Sequence, residues 1–517
     1  MRTQRSLLNF AAGLASTALV LIVGLVATPF LLRWLGEDRF GAFRVTLDWF
    51  GYLALFELGL GEALWPLLAR AAGRGDTKSV EHTLAAGIRA YLHVSLAKVL
   101  VGAGLTAAIV WLVPVGPELQ ADLRLASLVA LIGVFISPLI PFRAVLEASQ
   151  LGYRIHATLS IQYLVITALS LFLARAGWGI TGQSISLVAG TLLSHAFFAL
   201  EGLRRHPALL ARVLKERPDA GTWTEIWKLN IPSWTINISG RISLMTDNIV
   251  VALILHPGRV VPFFITQRLI LLAQARLQGI GDASWAALAE LHAQGKRELF
   301  TQRVIELTGI VSVLGIAALV PIAAYNERFI TLWVGSARYG GDLVTFVALA
   351  DALLLAVFSL WSWCFTATGE IRKLSAAALV MAAINFAFSV TFTYAFGLAG
   401  PLLGTLLAYL SINTWFLPRA LSHTFDIPVG KLLMAVALPW LAGLPYATAV
   451  WWVAHQHVSS LARTWEWIRL ATEMSASAAV FLGFAWISLL SQGERDLWKQ
   501  RFGEIRRMLV SEQAFLH

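Results

Sequence analysis

Gly59-Leu60-Gly61-Glu62-Ala63-Leu64-Trp65-Pro66-Leu67-Leu68-Ala69 returns later in the chain as Gly279-Ile280-Gly281-Asp282-Ala283-Ser284-Trp285-Ala286-Ala287-Leu288-Ala289. Gly59, Gly61, Glu62, Ala63, Trp65, Leu68 and Ala69 all find a like residue at one constant offset, 279 − 59 = 220. Gly75 with Gly295 and Phe43 with Phe263 extend the match. The offset covers six apolar stretches. An even number of crossings preserves orientation, so the halves are expected to form a parallel repeat about an axis along the membrane normal, with substrate held between them.

Working outward from the repeat, the 517 residues are 57% hydrophobic and 14% charged, with mean hydropathy +0.70. Soluble domains carry roughly 25% charged and 45–50% apolar residues, so a bilayer is the solvent this composition fits. A helical span needs about 20 apolar residues. Fourteen such stretches fall near 10–33, 41–70, 84–113, 123–147, 155–176, 180–203, 226–255, 260–290, 303–324, 342–368, 374–396, 398–418, 431–454 and 467–490. Period-two alternation is absent, which argues against an outer-membrane barrel. The expected fold is therefore all-α and polytopic: two six-helix lobes plus two extra C-terminal helices. The lobes are placed at 1–203 and 226–420. A cytoplasmic linker occupies 204–225, and the added helical pair with its basic tail occupies 421–517.

Orientation follows from Lys and Arg, which concentrate in cytoplasmic loops. Arg70, Arg74, Lys78, Arg204, Arg205, Arg212, Lys296, Arg297, Arg372, Lys373 and the tail residues lie on one side, in more than twofold excess over the other. Both termini are expected in the cytoplasm. Trp34, Trp111, Trp178, Trp333, Trp451, Trp452, Trp465 and Trp467 fall near external span ends, where indole rings anchor.

The net charge of +10 belongs to these loops; no soluble basic domain exists to bind nucleic acid. Cys364 is the lone cysteine, so neither a disulfide nor a cysteine metal cluster can form. His455-Gln456-His457 is too sparse for a metal site. Gly73-Arg74-Gly75-Asp76-Thr77-Lys78-Ser79 lacks the spacing of a nucleotide-phosphate loop. The stretch from Leu7 to Leu32 is too long for the core of a cleavable signal.

Pro29-Phe30-Leu31-Leu32-Arg33-Trp34-Leu35-Gly36-Glu37-Asp38-Arg39-Phe40-Gly41-Ala42-Phe43 resembles the end of the first span and the first loop of oligosaccharide flippases. Those show a Leu-Gly pair, an acidic residue, then an aromatic-Gly. Glu57-Leu58-Gly59-Leu60-Gly61 resembles their second span. The family is the polysaccharide (Wzx-type) branch of the multidrug/oligosaccharidyl-lipid/polysaccharide (MOP) exporter superfamily. The motifs cover about the first eighty residues, and the plan of helices covers the chain. The resemblance implies a non-enzymatic transporter that moves a lipid-linked oligosaccharide, with spans 1, 2, 7 and 8 lining a central cavity. In the second half His256-Pro257-Gly258-Arg259-Val260 replaces Gly36-Glu37-Asp38-Arg39-Phe40, a departure that leaves the cargo open.

Ionisable groups inside spans are costly unless paired or wet, which makes them functional candidates. In span 7, Asn230, Asn237, Arg241 and Asn248 share one helical face; Asp247 lies nearly opposite Arg241. Such a stripe reads as a cavity wall or as helix–helix hydrogen bonding. Span 8 carries Arg268, Arg276 and Asp282. An arginine fork suits the diphosphate that the resembled family would carry, and ion pairing with span 2 is the alternative use. Span 2 carries Arg44, Asp48, Glu57 and Glu62. The 220-residue offset pairs Asp48 with Arg268, an expected gate, and Glu62 with Asp282, which either orient packing or bind a coupling ion. The substrate-binding set is thus Arg44, Asn230, Asn237, Arg241, Asn248, Arg268 and Arg276. The gating or ion-coupling set is Asp48, Glu57, Glu62, Asp247 and Asp282. Arg143 and Glu147, four apart, are expected to pair, and His93 and His195 to be hydrogen-bonded packing residues.

No cofactor is expected. H+, Na+ or the membrane potential would drive transport. The partners are a lipid-diphosphate-linked oligosaccharide, membrane lipids, and a polysaccharide polymerase with its assembly proteins. Three alternatives stay open: a drug exporter or a peptidoglycan-precursor flippase on the same fold, or a membrane glycosyltransferase or polymerase using Glu37 and Asp38.

Overall fold

The computed structural model describes residues 2–57, 59–74, 76–149, 151–215, 245–456, 462–490 and, in the tail, 492, 495, 496, 499, 500 and 503. The helices are α1 (Arg2–Leu35), α2 (Glu37–Gly51), α3 (Leu60–Gly73), α4 (Thr77–Leu112), α5 (Pro117–Gly133), α6 (Ile140–Ala148), α7 (Gly152–Arg175), α8 (Gly179–Arg205) and α9 (Leu209–Lys215). They continue with α10 (Met245–Leu255), α11 (Val260–Ala293), α12 (Arg297–Ala324), α13 (Asn326–Trp333), α14 (Asp342–Thr368), α15 (Ser375–Phe396), α16 (Gly400–Ala408), α17 (Thr414–Phe425), α18 (Val429–His455) and α19 (Arg463–Ser488). No β-strand occurs among the described residues. Eleven stretches there are long and apolar enough to cross a membrane. The protein is a multi-pass membrane protein; residues 226–244 of the expected seventh stretch lie outside the described residues.

Among the described residues, two spans are interrupted by a 3₁₀ turn. Span 2, expected as one run from 41 to 70, is α2, a 3₁₀ turn at Tyr52–Glu57, and α3. Gly59 sits at φ +76°, a left-handed conformation open to glycine, and it ends the helical path. Span 4 is α5, a 3₁₀ turn at Val134–Leu139, and α6, with Pro138 and Pro141 withdrawing two backbone donors at the junction.

The chain divides into two compact units, Met1–Ile265 with Leu374–Ala408, and Thr266–Lys373 with Tyr409–His517. In the first unit α1 packs on α7, α7 on α8, and α8 on α5. Below the break in span 2, Leu60, Leu64 and Leu68 of α3 join Tyr91 of α4, Phe142 and Leu146 of α6, and Phe198 of α8 in one buried cluster. Asp122 of α5 accepts from the backbone N–H groups of Ile180 and Thr181, at 2.8 and 2.9 Å, and from Thr181 Oγ1 at 2.7 Å. It thereby satisfies donors that the start of α8 would otherwise leave open. α15 and α16 cross so closely that a side chain on Gly404 would strike the Ser389 backbone. In membranes, where apolar burial no longer favours helix pairing, such small-residue contacts hold helices together.

In the second unit α12 lies at the centre and packs on α14, α18 and α19. Trp361 Nε1 donates to Thr308 Oγ1 at 2.9 Å inside it. Of the added pair α18–α19, α19 is tied down by Arg328, whose guanidinium reaches Glu473 at 2.7 Å and the buried Glu466 at 3.5 Å.

Candidate functional site

The site is built from the start of α2, the end of α10 and the turn that opens α11, all within the first unit. Gly36 at φ +77° turns the chain from α1 into α2. Intervals of three, three and four then place Asp38, Gly41, Arg44 and Asp48 along one side of α2. That side meets the segment His256–Phe264. Gly41 has no room for a Cβ against the Pro257 carbonyl, and a Cβ on Gly258 would strike Asp38 Oδ1. His256 sits at φ 114°, unusual for a residue with a side chain. Its Nδ1 accepts from the Gly258 N–H at 3.2 Å and lies 3.4 Å from Asp38 Oδ1.

One helical turn further in, the Arg44 guanidinium carbon stands 4.3 Å from the centroid of the Phe264 ring, and Phe40 lies against the same ring at 6.3 Å. The cation faces the negative side of the aromatic quadrupole. These contacts carry the repeat into three dimensions: 258 − 38 and 264 − 44 both equal 220. At both places residues of the same repeat position touch.

The next layer joins α2 to α10. The buried Asp48 accepts from Asn248 Nδ2 at 2.8 Å. Tyr52 and Thr246 share a 2.6 Å hydrogen bond between hydroxyls, and Gly51 leaves space for Met245. The partners run 48 with 248 and 52 with 246, so the two helices are antiparallel. Asp247 is half-buried. Its Oδ1 is shielded from solvent and has no hydrogen-bond partner among the described residues.

The structure thus brings Arg44, Asp48, Asn248 and Asp247 into one end of the first unit. Arg268, Arg276 and Asp282 lie on the part of α11 that belongs to the second unit; Arg268 is half-buried, and the other two are exposed. Glu57, at the break in span 2, is engaged by Lys98 Nζ at 2.6 Å. Asn230, Asn237, Arg241 and the side chain of Glu62 lie outside the described residues. Arg143 pairs with Glu147 at 2.9 Å, His93 Nδ1 donates to the Arg89 carbonyl at 2.8 Å and His195 Nδ1 to the Thr191 carbonyl at 2.9 Å. The Arg143–Glu147 pair behaves as its spacing suggested, and both histidines are hydrogen-bonded within their own helices.

Sequence reading missed Asp351, a buried carboxylate within α14. An acid inside an otherwise apolar span is the signal that should have flagged it. It also missed Tyr52, Thr246 and Ser137, because hydroxyl residues are ordinary in membrane helices and announce nothing by spacing. No cluster of metal-ligating side chains occurs among the described residues. Chemically the arrangement offers a guanidinium for anions and carboxylates for cations.

No family model matches the chain. Over 512 residues it is 22% identical to the "Uncharacterized membrane protein EpsK" of Bacillus subtilis (strain 168), covering 96% of this chain and 97% of that protein. It is 21% identical over 435 residues to the "Putative O-antigen transporter" of Salmonella typhi, covering 81% of this chain and 96% of that one. Among solved structures, the lipid II flippase MurJ in an inward closed conformation superimposes with a TM-score of 0.72 at 17% identity, over 94% of this chain and all of that one. An inward-facing MATE-family multidrug resistance transporter of the MOP superfamily follows with a TM-score of 0.58 at 16% identity, over 83% and 95% of the two chains. The fold is like that of these solved transporters, and those of these proteins whose names state an activity are transporters or flippases, not enzymes.

Proposed function

We propose that this protein is a secondary flippase that carries a lipid-diphosphate-linked oligosaccharide across the bacterial inner membrane by alternating access. The observation that carries the reading is the closure of α2 on the His256–Phe264 segment by residues of one repeat position, Asp38 on Gly258 and Arg44 on Phe264. A contact between pseudo-equivalent span ends is what a two-lobed transporter parts and remakes. The full-length likeness to a protein named an O-antigen transporter and to the fold of a lipid flippase supports the cargo class.

In this reading the lobes are 1–203 and 226–420, and both termini are cytoplasmic. The α2–α11 contact closes the external side. Arg268 and Arg276 of α11 take the diphosphate in a cationic central cavity, because a guanidinium stays charged and binds phosphate oxygens in pairs. Asp48 and Arg268 share one repeat position, which makes them the candidates for gating. Transport draws on an ion gradient or the membrane potential, and the exported unit passes to a polymerase.

The test is a host lacking the protein. Lipid-linked oligosaccharides are quantified by mass spectrometry, and an impermeant reagent reports which face of the membrane they occupy. Complete units trapped on the cytoplasmic face are expected, and their composition names the cargo. Complete, unpolymerised units already outside would overturn the flippase reading in favour of a polymerase. Unchanged lipids would move the assignment to drug export.

A further inference from the structure

Three spans converge on the break in span 2. The 3₁₀ turn Tyr52–Glu57 ends on Glu57, and Gly59 stands at φ +76° two residues on. Beside it lies the 3₁₀ turn of span 4 with Ser137. A carboxylate and a hydroxyl meet here at a discontinuous helix and form an oxygen seat. Secondary transporters hold monovalent cations at such breaks, and hard cations take oxygen donors.

Here a cation is already in place. Lys98 of α4 is 5% exposed, and its Nζ donates to Glu57 Oε1 at 2.6 Å and to Ser137 Oγ at 3.1 Å. The other ionisable groups nearby are committed elsewhere. His195 of α8, within electrostatic reach of Glu57 and Arg143, donates to Thr191, and Arg143 of α6 is paired with Glu147. Neither substitutes for Lys98.

We propose that the Glu57–Ser137 seat is a monovalent-cation site kept permanently filled by the Lys98 ammonium. The first unit therefore takes up no Na+ at this position, and any ion coupling is located elsewhere. Removing Lys98 while keeping Glu57 opens the seat to Na+. The inference does not depend on the cargo and stands whether or not the flippase reading holds.

The experiment is thermal unfolding of the purified full-length protein in nanodiscs, with NaCl titrated against choline chloride at constant ionic strength. Wild type is expected to melt at the same temperature in both salts. Lys98→Met is expected to melt lower in choline and to recover several degrees with Na+ in a saturable manner. The double variant Lys98→Met/Glu57→Gln should lose that response. A purely structural ion pair predicts a Lys98→Met protein that is destabilised equally in both salts, and that result overturns the proposal. Recovery in choline on acidification without any Na+ response would make the seat one for a proton, and would also overturn it as stated. Lys98→Gln, which keeps a donor toward Ser137, is measured alongside. If neither variant folds even in Na+, the proposal also fails, since an open cation seat should have rescued them.

Discussion

Spans 2 and 8 carry the same Gly-x-Gly-acid-Ala motif and do opposite things with it. Around Gly59 and Gly61 the helix breaks into α2, a 3₁₀ turn and α3. Around Gly279 and Gly281 it runs unbroken as α11 from Val260 to Ala293. The second glycine serves the same purpose in both, a close helix crossing: a Cβ on Gly61 would stand 3.4 Å from the Tyr91 hydroxyl, and one on Gly281 2.7 Å from the Trp363 ring. The difference lies just before the motif. Glu57 in span 2 corresponds to Leu277 in span 8, since 277 − 57 = 220. Leu277 is buried, while Glu57 meets Lys98. A shared local pattern permits both shapes, and the polar partner selects the broken one.

The largest effect should come from making span 2 resemble span 8 halfway. Glu57→Leu alone strands a buried ammonium and is expected to cost about 3–5 kcal/mol, read as a drop in thermal and denaturant midpoints. Adding Lys98→Ala removes the stranded charge and should recover most of that loss, since replacing both members of a buried pair is often close to neutral. A double variant no better than the single would show that the break, not the charge, governs stability.

Next in size is Gly41→Ala, which drives a methyl into the Pro257 carbonyl at the closed end. Overpacking of a backbone contact costs about 1–3 kcal/mol. Asp38→Cys/Gly258→Cys should cross-link readily without Gly41→Ala and poorly with it. Undiminished cross-linking would mean that the contact yields elsewhere. The buried Cys364 is not expected to interfere.

A smaller effect belongs to the second layer. Asp48→Ala and Asn248→Ala, with their double variant, should show a coupling of about 1.5–3 kcal/mol, the range for a hydrogen bond to a charged group. Additivity would place Asp48's main partner elsewhere. Smallest is Arg44→Lys. Lysine keeps the charge but loses the planar stack on Phe264, worth about 0.5–1 kcal/mol at a partly exposed site. If Arg44→Lys instead abolishes transport with stability unchanged, Arg44 touches cargo as well as Phe264.

Much of this molecule can be read without coordinates, and the parts that cannot have a common cause. The helices follow from runs of apolar residues and the repeat from a constant offset; both are properties of neighbouring residues or of self-comparison. Arg143 and Glu147 pair because they stand four apart on a helix. Glu57 was legible as an acid in a membrane span, but its neutralisation was not, because Lys98 lies 41 residues away and nothing in either segment names the other. The same holds for Asn248 on Asp48, 200 residues apart.

The sequence by itself therefore determined an all-helical membrane protein with a duplicated plan, since hydropathy and repetition survive any detail of packing. Only the tertiary structure decided that span 2 breaks where span 8 does not, that like positions of the two repeats touch at one end, and which buried charge answers which. Those outcomes depend on where distant oxygens and nitrogens come to rest. In a low-dielectric interior a shift of one hydrogen bond changes the balance between pairing and desolvation.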